Sequence, residues 1–163
     1  MSVRVGIGYD SHRFASGGPL KLAGVDIEFD RHLVGHSDGD AVSHAVTDAI
    51  LGAAGAGDIG ALFSDRDPVN RGRNSLEMLG IALDRVRGAG YLVSYVDVTV
   101  VAEAPRLAPH RDAMRAALAR ALSVSATEVS IKGKTNEGMG WIGRGEGIAC
   151  LAVATLVPNE QPR

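Results

Sequence analysis

Period-two alternation of apolar and polar residues predicts the strands of this chain. We predict strands over residues 3–8, a hairpin over 20–29 that turns at Ala23-Gly24, and strands over 91–102, 129–133 and 148–156. The segment 91–102 is rich in β-branched and aromatic residues, which favour extended backbone, and it is predicted to be the long central strand. The order in which the strands pair does not follow from this pattern.

Apolar residues recur at helical spacing between these strands. We predict helices over residues 39–54, 74–87 and 109–122. Ser37 or Asp38 is expected to cap the first helix, and Asn74 with Glu77 the second, because such side chains satisfy free backbone N–H groups of a first turn. Residues 55–74 contain glycines, a proline and several aspartates and are predicted to form a long loop, which in a compact domain indicates function.

The mixture of elements predicts one α+β domain over residues 1–163, in which a single mixed β-sheet is covered by helices on one face. The composition, 45% hydrophobic and 22% charged, is that of an ordinary globular domain with a core. A formal net charge of −2 argues against a broad surface for nucleic acid, so any phosphate must be bound locally. The single cysteine, Cys150, lies in an apolar run and is interpreted as a buried thiol.

Neither a membrane span nor a leader peptide is expected. The longest uncharged apolar run, residues 148–158, is shorter than the roughly 20 residues that cross a bilayer. The first residues, Met1 to Val5, lack the apolar stretch of a signal peptide. We therefore expect a cytoplasmic protein with no membrane partner.

Histidines are concentrated near the N-terminus, since His12, His32, His36 and His44 are four of the five in the chain. Asp10 and His12 are two residues apart and project to the same side of an extended backbone, where helical His44 can complete a set of three ligands. Two nitrogens and one oxygen suit zinc, and three protein ligands leave the open position of a catalytic site. An Asp-x-His triplet also occurs by chance, so a surface turn is the alternative interpretation.

Several polar residues are candidates for the surroundings of such a site. Asp48 lies one helical turn beyond His44 and is predicted either to accept the free N–H of that imidazole or to be a solvated carboxylate. Ser37 precedes the first helix, where backbone N–H groups favour phosphate, although simple capping is the alternative. Asp58 can accept hydrogen bonds from a polyol, or form a turn with its neighbouring glycines. Lys134-Thr135 is suited to a diphosphate but lacks the spacing of a P-loop.

Short motifs follow one another along the chain in a specific order. They are Gly6-Ile7-Gly8-Tyr9-Asp10-Ser11-His12-Arg13-Phe14, His36-Ser37-Asp38-Gly39-Asp40 with His44, Thr47-Asp48-Ala49, Gly57-Asp58-Ile59-Gly60, Phe63-Ser64-Asp65 and Gly143-Arg144-Gly145-Glu146-Gly147. Together they resemble the 2-C-methyl-D-erythritol 2,4-cyclodiphosphate synthase family. The resemblance covers residues 5–149 and indicates a monofunctional member, without a fused cytidylyltransferase domain. The chain departs from the family pattern at Gly133, Lys134 and Trp141, where alanine, threonine and phenylalanine are expected.

The resemblance implies specific roles for metal ligands and catalytic residues. One zinc ion per chain is expected on Asp10, His12 and His44, and Glu137 is expected to help place a second divalent cation, Mg²⁺ or Mn²⁺, on the substrate diphosphate. The catalytic residues His36 and Thr135 are expected to hydrogen-bond the diphosphate as it reacts. The resemblance also implies a homotrimer whose three active sites lie at the interfaces between chains.

The remaining substrate contacts are likewise implied by the resemblance. Residues around the zinc ligands are expected to hold the methylerythritol hydroxyls and phosphates: Asp10, His12, His36, Ser37, Asp58, Ile59, Gly60, Phe63, Ser64, Asp65, Arg66 and Asp67. The cytidine is expected in a pocket of a neighbouring chain, formed by Ala102, Ala104, Pro105, Arg106, Leu107, Ala108, Gly133, Lys134, Thr135, Asn136, Glu137, Trp141 and Arg144.

The implied activity is that of a phosphorus–oxygen lyase, which cyclises a CDP-linked sugar-alcohol phosphate and releases CMP in the non-mevalonate route to isoprenoid precursors. The substrate's own 2-phosphate is the nucleophile, which agrees with a sequence in which no protein nucleophile is evident. Two alternatives stay open. A zinc phosphohydrolase would direct a metal-activated water at phosphorus, and a trimeric nucleotide-binding regulator would use the metal only structurally.

Overall fold

The computed structural model describes residues 2–159. Its longer elements, in chain order, are β1 (Arg4–Ser16), β2 (Leu20–Leu22), β3 (Val25–Ile27), β4 (Arg31–Leu33), α1 (Ala41–Ala54), α2 (Ile59–Leu62), α3 (Ser75–Gly88), β5 (Tyr91–Val101), α4 (Arg111–Leu122), β6 (Val129–Lys134), α5 (Gly140–Gly143) and β7 (Gly147–Pro158). Short 3-10 turns occupy Pro68–Asn70, Ala108–His110 and Ala126–Glu128. None of the helices in this part of the chain is long and apolar enough to span a bilayer.

Five of the strands form one mixed sheet in the order β4-β1-β7-β5-β6. β1 is antiparallel to both β4 and β7, β7 is antiparallel to β5, and β5 is parallel to β6. The predicted α+β class with a mixed sheet is therefore confirmed. The expectation that residues 91–102 form the central strand is wrong, because β7 occupies the centre and β5 lies beside it. Residue propensity indicates that a segment is extended, but it does not indicate which partners the strand has.

The predicted hairpin is present as a separate two-stranded sheet of β2 and β3, which turns at Ala23 and Gly24. Both residues have positive φ, and β2 is buried against the core at Leu20 and Leu22. The following strand β4 was not expected from the sequence. It pairs for only three residues with the end of β1, a length too short to show alternation.

Helix α1 packs on the sheet directly over β1, and two glycines permit the close approach. A Cβ atom on Gly8 would lie 1.8 Å from the Ala45 carbonyl oxygen, and one on Gly6 would lie 2.1 Å from that of Ala49. The other even-numbered residues of β1 face the helix on the same side as Gly6 and Gly8, since side chains alternate along a strand. Asp10 and His12 are thereby directed toward α1.

The core lies between this face of the sheet and the helices. Val96, Val98 and Val100 of β5 are fully buried on it, together with Ala152 and Ala154 of β7. The opposite face carries exposed apolar side chains of β1 and β7. The helices thus cover one face of the sheet, as predicted.

Several element ends differ from the sequence prediction. Asp40, not Ser37 or Asp38, caps α1, and its carboxylate accepts hydrogen bonds from the backbone N–H groups of Ser43 at 3.0 Å and Ala23 at 2.8 Å. Any of the three polar residues satisfies the local capping pattern, and the tertiary contact with the β2–β3 hairpin selects Asp40. Burial raises the pKa of this carboxyl, which is fully enclosed.

The strand β1 extends well beyond the predicted residues 3–8, because it pairs residue by residue with β7 as far as Arg13 and Gly147. Asp10 and His12 consequently lie within a strand rather than at its exit. The predicted loop over 55–74 contains the short helix α2 and a 3-10 turn. Asn74 caps α3 as expected, and Cys150 is buried, which raises the pKa of its thiol well above the usual value.

Candidate metal centre and active site

Asp10, His12 and His44 meet at one end of the contact between β1 and α1. The Asp10 Oδ2 atom lies 2.7 Å from His12 Nε2 and 3.0 Å from His44 Nδ1, and the two ring nitrogens lie 3.2 Å apart. One donor atom from each residue falls within 4.8 Å of the others, an arrangement able to hold a metal ion. The structure therefore brings together the three residues that strand alternation and helical placement suggested and that the family resemblance assigned to the metal.

Each imidazole is oriented by a hydrogen bond on the side away from this cluster. His12 Nδ1 lies 2.7 Å from the Val34 carbonyl oxygen, which only accepts, so Nδ1 carries a proton and Nε2 is the nitrogen that a metal would use. His44 Nε2 lies 2.8 Å from the hydroxyl oxygens of both Ser37 and Ser75, and Nδ1 faces Asp10. Two ring nitrogens and a carboxylate oxygen thus converge, which is a donor set that fits zinc.

The cluster changes the pKa values of its own members. Burial alone raises the pKa of the Asp10 carboxyl, but its close polar contacts with the rings of His12 and His44 outweigh burial and leave this pKa below its ordinary value. Burial alone lowers the pKa of His12, yet the adjacent Asp10 outweighs it and leaves this pKa raised. The site therefore favours positive charge beside the carboxylate, as a divalent cation would supply.

Asp48 does not accept a hydrogen bond from His44, so the first of its two predicted roles is wrong. Its Oδ1 atom accepts the backbone N–H of Ile59 at 2.7 Å and so holds the start of α2. Helical side chains lean toward the N-terminus of their helix, and the ring of His44 accordingly points back to Ser37 and across to Ser75. Burial raises the pKa of the Asp48 carboxyl, which is half-buried at the edge of the cleft.

An open cleft of about 170 Å³ adjoins the cluster. Besides the three candidate ligands it is lined by His36, Ser37, Asp48, Ile59, Gly60, Phe63, Asp65, Asn70 and Met78. Six residues predicted from the resemblance beyond the ligands are thus gathered here: His36, Ser37, Ile59, Gly60, Phe63 and Asp65. The cleft combines apolar walls with carboxylates, which suits a polyol phosphate beside a metal.

The other predicted residues of this segment lie outside the lining of the cleft. Asp58 caps α2 by accepting the Ala61 N–H at 2.7 Å, and Asp67 accepts the N–H of Val69 at 3.1 Å. Ser64 and Arg66 are exposed beside them. Asp58 therefore has the turn and cap role that the sequence left open as its alternative.

Two residues of the cleft were not predicted. Asn70 is buried and donates to the Ser64 carbonyl oxygen at 2.9 Å while accepting from Arg73 at 3.0 Å. Its place in a long polar loop was a usable signal. Met78 lies on the apolar face of α3, where nothing in the sequence distinguishes a cleft residue from a core residue.

A second cavity of about 190 Å³ lies between the segment after β5 and the end of β6. Its lining includes most of the residues expected around cytidine: Ala102, Pro105, Arg106, Leu107, Ala108, Gly133, Lys134 and Thr135. Ala104, Asn136 and Glu137 adjoin this lining in the chain without forming part of it. Glu103 also lines this cavity, and its carboxylate accepts the N–H groups of Asn136 at 2.8 Å and Gly138 at 3.3 Å and so shapes the loop after β6.

Trp141 and Arg144 lie apart from this second cavity. Trp141 lines a third depression together with Ser11, Arg13 and Glu146. Arg144 forms an exposed ion pair with Glu146, with nitrogen and oxygen 3.0 Å apart. Within one chain, the structure does not bring these two residues to the cavity expected for cytidine.

Comparison with known proteins places this geometry in a family. A model of the YgbB family matches residues 3–157. The chain belongs to the YgbB family. A 2-C-methyl-D-erythritol 2,4-cyclodiphosphate synthase from Gemmatimonas aurantiaca is 59% identical to it over 155 residues, which cover 95% of this chain and 93% of that protein. The resemblance inferred from the motifs is therefore confirmed.

Solved structures of related proteins have the same fold as this YgbB-family chain. The bifunctional IspDF from Campylobacter jejuni superposes with a TM-score of 0.93 at 40% identity, over 98% of this chain and 44% of that one. A CDP complex of IspF from Plasmodium falciparum superposes with a TM-score of 0.85 at 34% identity, over 97% of both chains.

Proposed function

We propose that this chain converts 4-diphosphocytidyl-2-C-methyl-D-erythritol 2-phosphate to 2-C-methyl-D-erythritol 2,4-cyclodiphosphate and CMP. The observation that carries the proposal is the cleft in which Asp10, His12 and His44 converge beside His36, in a chain 59% identical to a cyclodiphosphate synthase. The reaction belongs to the non-mevalonate route to isoprenoid precursors. An oxygen of the 2-phosphate bonds to the β-phosphorus, the bond from that phosphorus to the bridging oxygen breaks, and CMP leaves with that oxygen.

Asp10, His12 and His44 would hold a zinc ion, and Glu137 would contribute to a second site for Mg²⁺ or Mn²⁺. When bound, these cations neutralise charge that develops on the phosphate oxygens. The protein's own task is to place the 2-phosphate in line with the β-phosphorus, because phosphoryl transfer depends chiefly on positioning and charge. Glu137 is exposed in the single chain and lies 3.4 Å from the Lys134 ammonium, so it is accessible to a ligand there.

The cleft residues are suited to holding the two ends of the methylerythritol unit. His36 and Ser37 precede α1 and are proposed to hydrogen-bond phosphate oxygens at the mouth of the cleft. Asp65 and the backbone at Ile59 and Gly60 offer partners for hydroxyl groups on the opposite wall. Phe63 is buried and, with Met78, supplies the apolar side that a carbon skeleton requires.

The complete site is proposed to form between chains of a homotrimer. The cleft beside the metal cluster and the cavity that includes Thr135 have no lining residue in common, so neither alone holds both ends of a CDP-linked substrate. The open face of the sheet is apolar: Val5 and Ile7 are 66% and 68% exposed, and Ile7 is paired with exposed Val153 of β7. Such a patch is typical of a surface that is covered by another chain.

The products separate this function from the alternatives. Purified protein supplied with zinc, magnesium and the CDP-linked substrate is expected to give CMP and a cyclic diphosphate in equal amounts, measured by ³¹P NMR and chromatography. The reaction is expected to stop when a chelator removes the metals and to resume when they are restored. A linear bisphosphate product would establish a phosphohydrolase, and nucleotide binding without turnover would support a regulator.

A further inference from the structure

The side of His44 that faces away from the candidate ligands has two hydroxyl neighbours. Ser37 Oγ and Ser75 Oγ each lie 2.8 Å from His44 Nε2. When a metal occupies Nδ1, the nitrogen that faces Asp10, Nε2 carries the ring proton and has one N–H to donate. Only one of the two hydroxyls can accept this N–H in the best geometry.

The two serines differ in what lies behind them. The Ser75 hydroxyl contacts a carboxylate oxygen of Asp38, and the Ser75 backbone N–H donates to the other oxygen at 3.0 Å. A carboxylate only accepts, so the Ser75 hydroxyl donates to Asp38 and keeps its lone pairs for His44. Among the hydrogen bonds of residues 2–159, the Ser37 hydroxyl has no partner other than His44.

Asp38 and Ser75 are held rigidly relative to each other and to His44. Ser75 is fully buried at the first position of α3, and its N–H group is at the positive end of that helix, which favours a carboxylate there. The backbone N–H of Asp38 donates to the Arg73 carbonyl oxygen at 3.2 Å, which ties the segment before α1 to the start of α3. His44 itself is only 8% exposed.

We propose that Asp38 and Ser75 are positioning residues that act on the metal through His44, by a directed hydrogen-bond chain from the imidazole Nε2–H to the Ser75 hydroxyl and on to the Asp38 carboxylate. The chain fixes the tautomer that leaves Nδ1 free, and it increases electron density on that nitrogen. A carboxylate that accepts the second N–H of a metal-binding histidine is a common arrangement, and here the Ser75 hydroxyl lies between the imidazole and the carboxylate. The inference rests on the proposed role of His44 as a metal ligand.

A matched pair of variants tests the chain, because Ser75→Ala and Ser37→Ala each delete one hydroxyl at the same distance from the same nitrogen. Zinc affinity of the full-length protein is measured by competition with a chromophoric chelator, with no substrate present. Ser75→Ala is expected to weaken zinc binding by about 10- to 100-fold, the usual effect of losing such an outer hydrogen bond. Ser37→Ala is expected to change it less than about threefold, since no carboxylate lies behind that serine.

A double-mutant cycle supplies a readout that a merely structural role would not give. Asp38→Asn alone is expected to weaken zinc binding, whereas Asp38→Asn combined with Ser75→Ala should bind no more weakly than Ser75→Ala alone. Circular dichroism and melting temperature of the metal-free proteins report folding. If Ser75→Ala fails to fold, Asp38→Asn compared with Ser37→Ala carries the same test.

The inference is overturned if folded Ser75→Ala binds zinc as wild type does, if Ser37→Ala is the more damaging of the pair, or if the effects of Asp38→Asn and Ser75→Ala simply multiply. His44→Ala distinguishes this failure from failure of the metal assignment. If His44→Ala retains zinc, His44 is not a metal ligand and the metal assignment fails. If only His44→Ala loses zinc, His44 is a ligand and the hydrogen-bond chain alone is overturned.

Discussion

At the scale of single residues, the donor atoms of the metal cluster are directed by groups on three different segments. Val34 fixes the ring of His12 from the end of β4, Ser37 contacts His44 from the segment before α1, and Ser75 contacts it from the first position of α3. Strand alternation and helical placement made Asp10, His12 and His44 candidates, and the ordered motifs of the family resemblance favoured them over a surface turn. The sequence does not reveal Ser75, which is 31 residues from His44, because long-range hydrogen bonds leave no local pattern.

The first prediction concerns zinc content. Wild-type protein is expected to hold about one zinc per chain, and His44→Ala is expected to lose most of it while remaining folded, because an open catalytic site contributes less to folding than a closed structural one. Elemental analysis and circular dichroism on the same samples measure both quantities. Zinc retained in a folded His44→Ala protein would show that another residue is the ligand.

At the scale of elements, the site depends on how closely α1 approaches β1. Helical and strand periodicity in the sequence predicted both elements, and the two glycines that permit their contact are visible there as Gly6 and Gly8. The sequence did not predict that β1 continues through His12, since that extension depends on pairing with β7, more than 130 residues away in the chain. Nor did it identify Asp40 as the cap of α1, because the deciding contact is with the β2–β3 hairpin.

The second prediction tests this contact with matched glycine substitutions. Gly8→Ala places a Cβ atom only 1.8 Å from the Ala45 carbonyl oxygen, so β1 and α1 must separate. We expect a loss of about 2 kcal/mol or more in the free energy of unfolding, together with weaker zinc binding, since Asp10 and His44 are on the two displaced elements. Chemical denaturation and chelator competition measure the two effects.

Gly52→Ala is the control for that substitution. Gly52 lies within α1, and a Cβ there meets no atom within 4 Å. Alanine favours a helix over glycine by up to about 1 kcal/mol, so this variant is expected to be as stable as wild type or slightly more stable. Equal destabilisation by the two substitutions would contradict the proposed close packing at Gly8.

At the scale of the whole molecule, a single chain presents two separated halves of a substrate site and an open apolar sheet face. Trp141 and Arg144, which the resemblance assigns to the cytidine side, lie outside the Thr135 cavity of the same chain. No periodicity or composition predicts how copies of a chain assemble. The homotrimer and its shared sites therefore remain a proposal that mixed assemblies can test.

The third prediction is complementation between two inactive variants. His44→Ala damages the zinc side and Thr135→Ala the opposite side, and a cyclic trimer repeats one head-to-tail interface three times. With random assembly of equal amounts, each half of a site is intact with probability one half, so about a quarter of wild-type activity should return. The two variants are co-expressed with different tags, and mixed trimers are confirmed by sequential pull-down. Confirmed mixed trimers without activity would contradict the interfacial site and leave the zinc assignment untouched.

The origin of the new phosphorus–oxygen bond tests the central claim most directly. We propose attack by the substrate's own 2-phosphate, so turnover in ¹⁸O-labelled water should yield CMP and a cyclic diphosphate that both lack the label. Mass spectrometry of the two products after a single turnover makes the measurement, with enzyme in excess over substrate. Unlabelled products in equal amounts are the predicted result. One ¹⁸O atom in a linear phosphate product would show attack by water and would contradict the cyclase account.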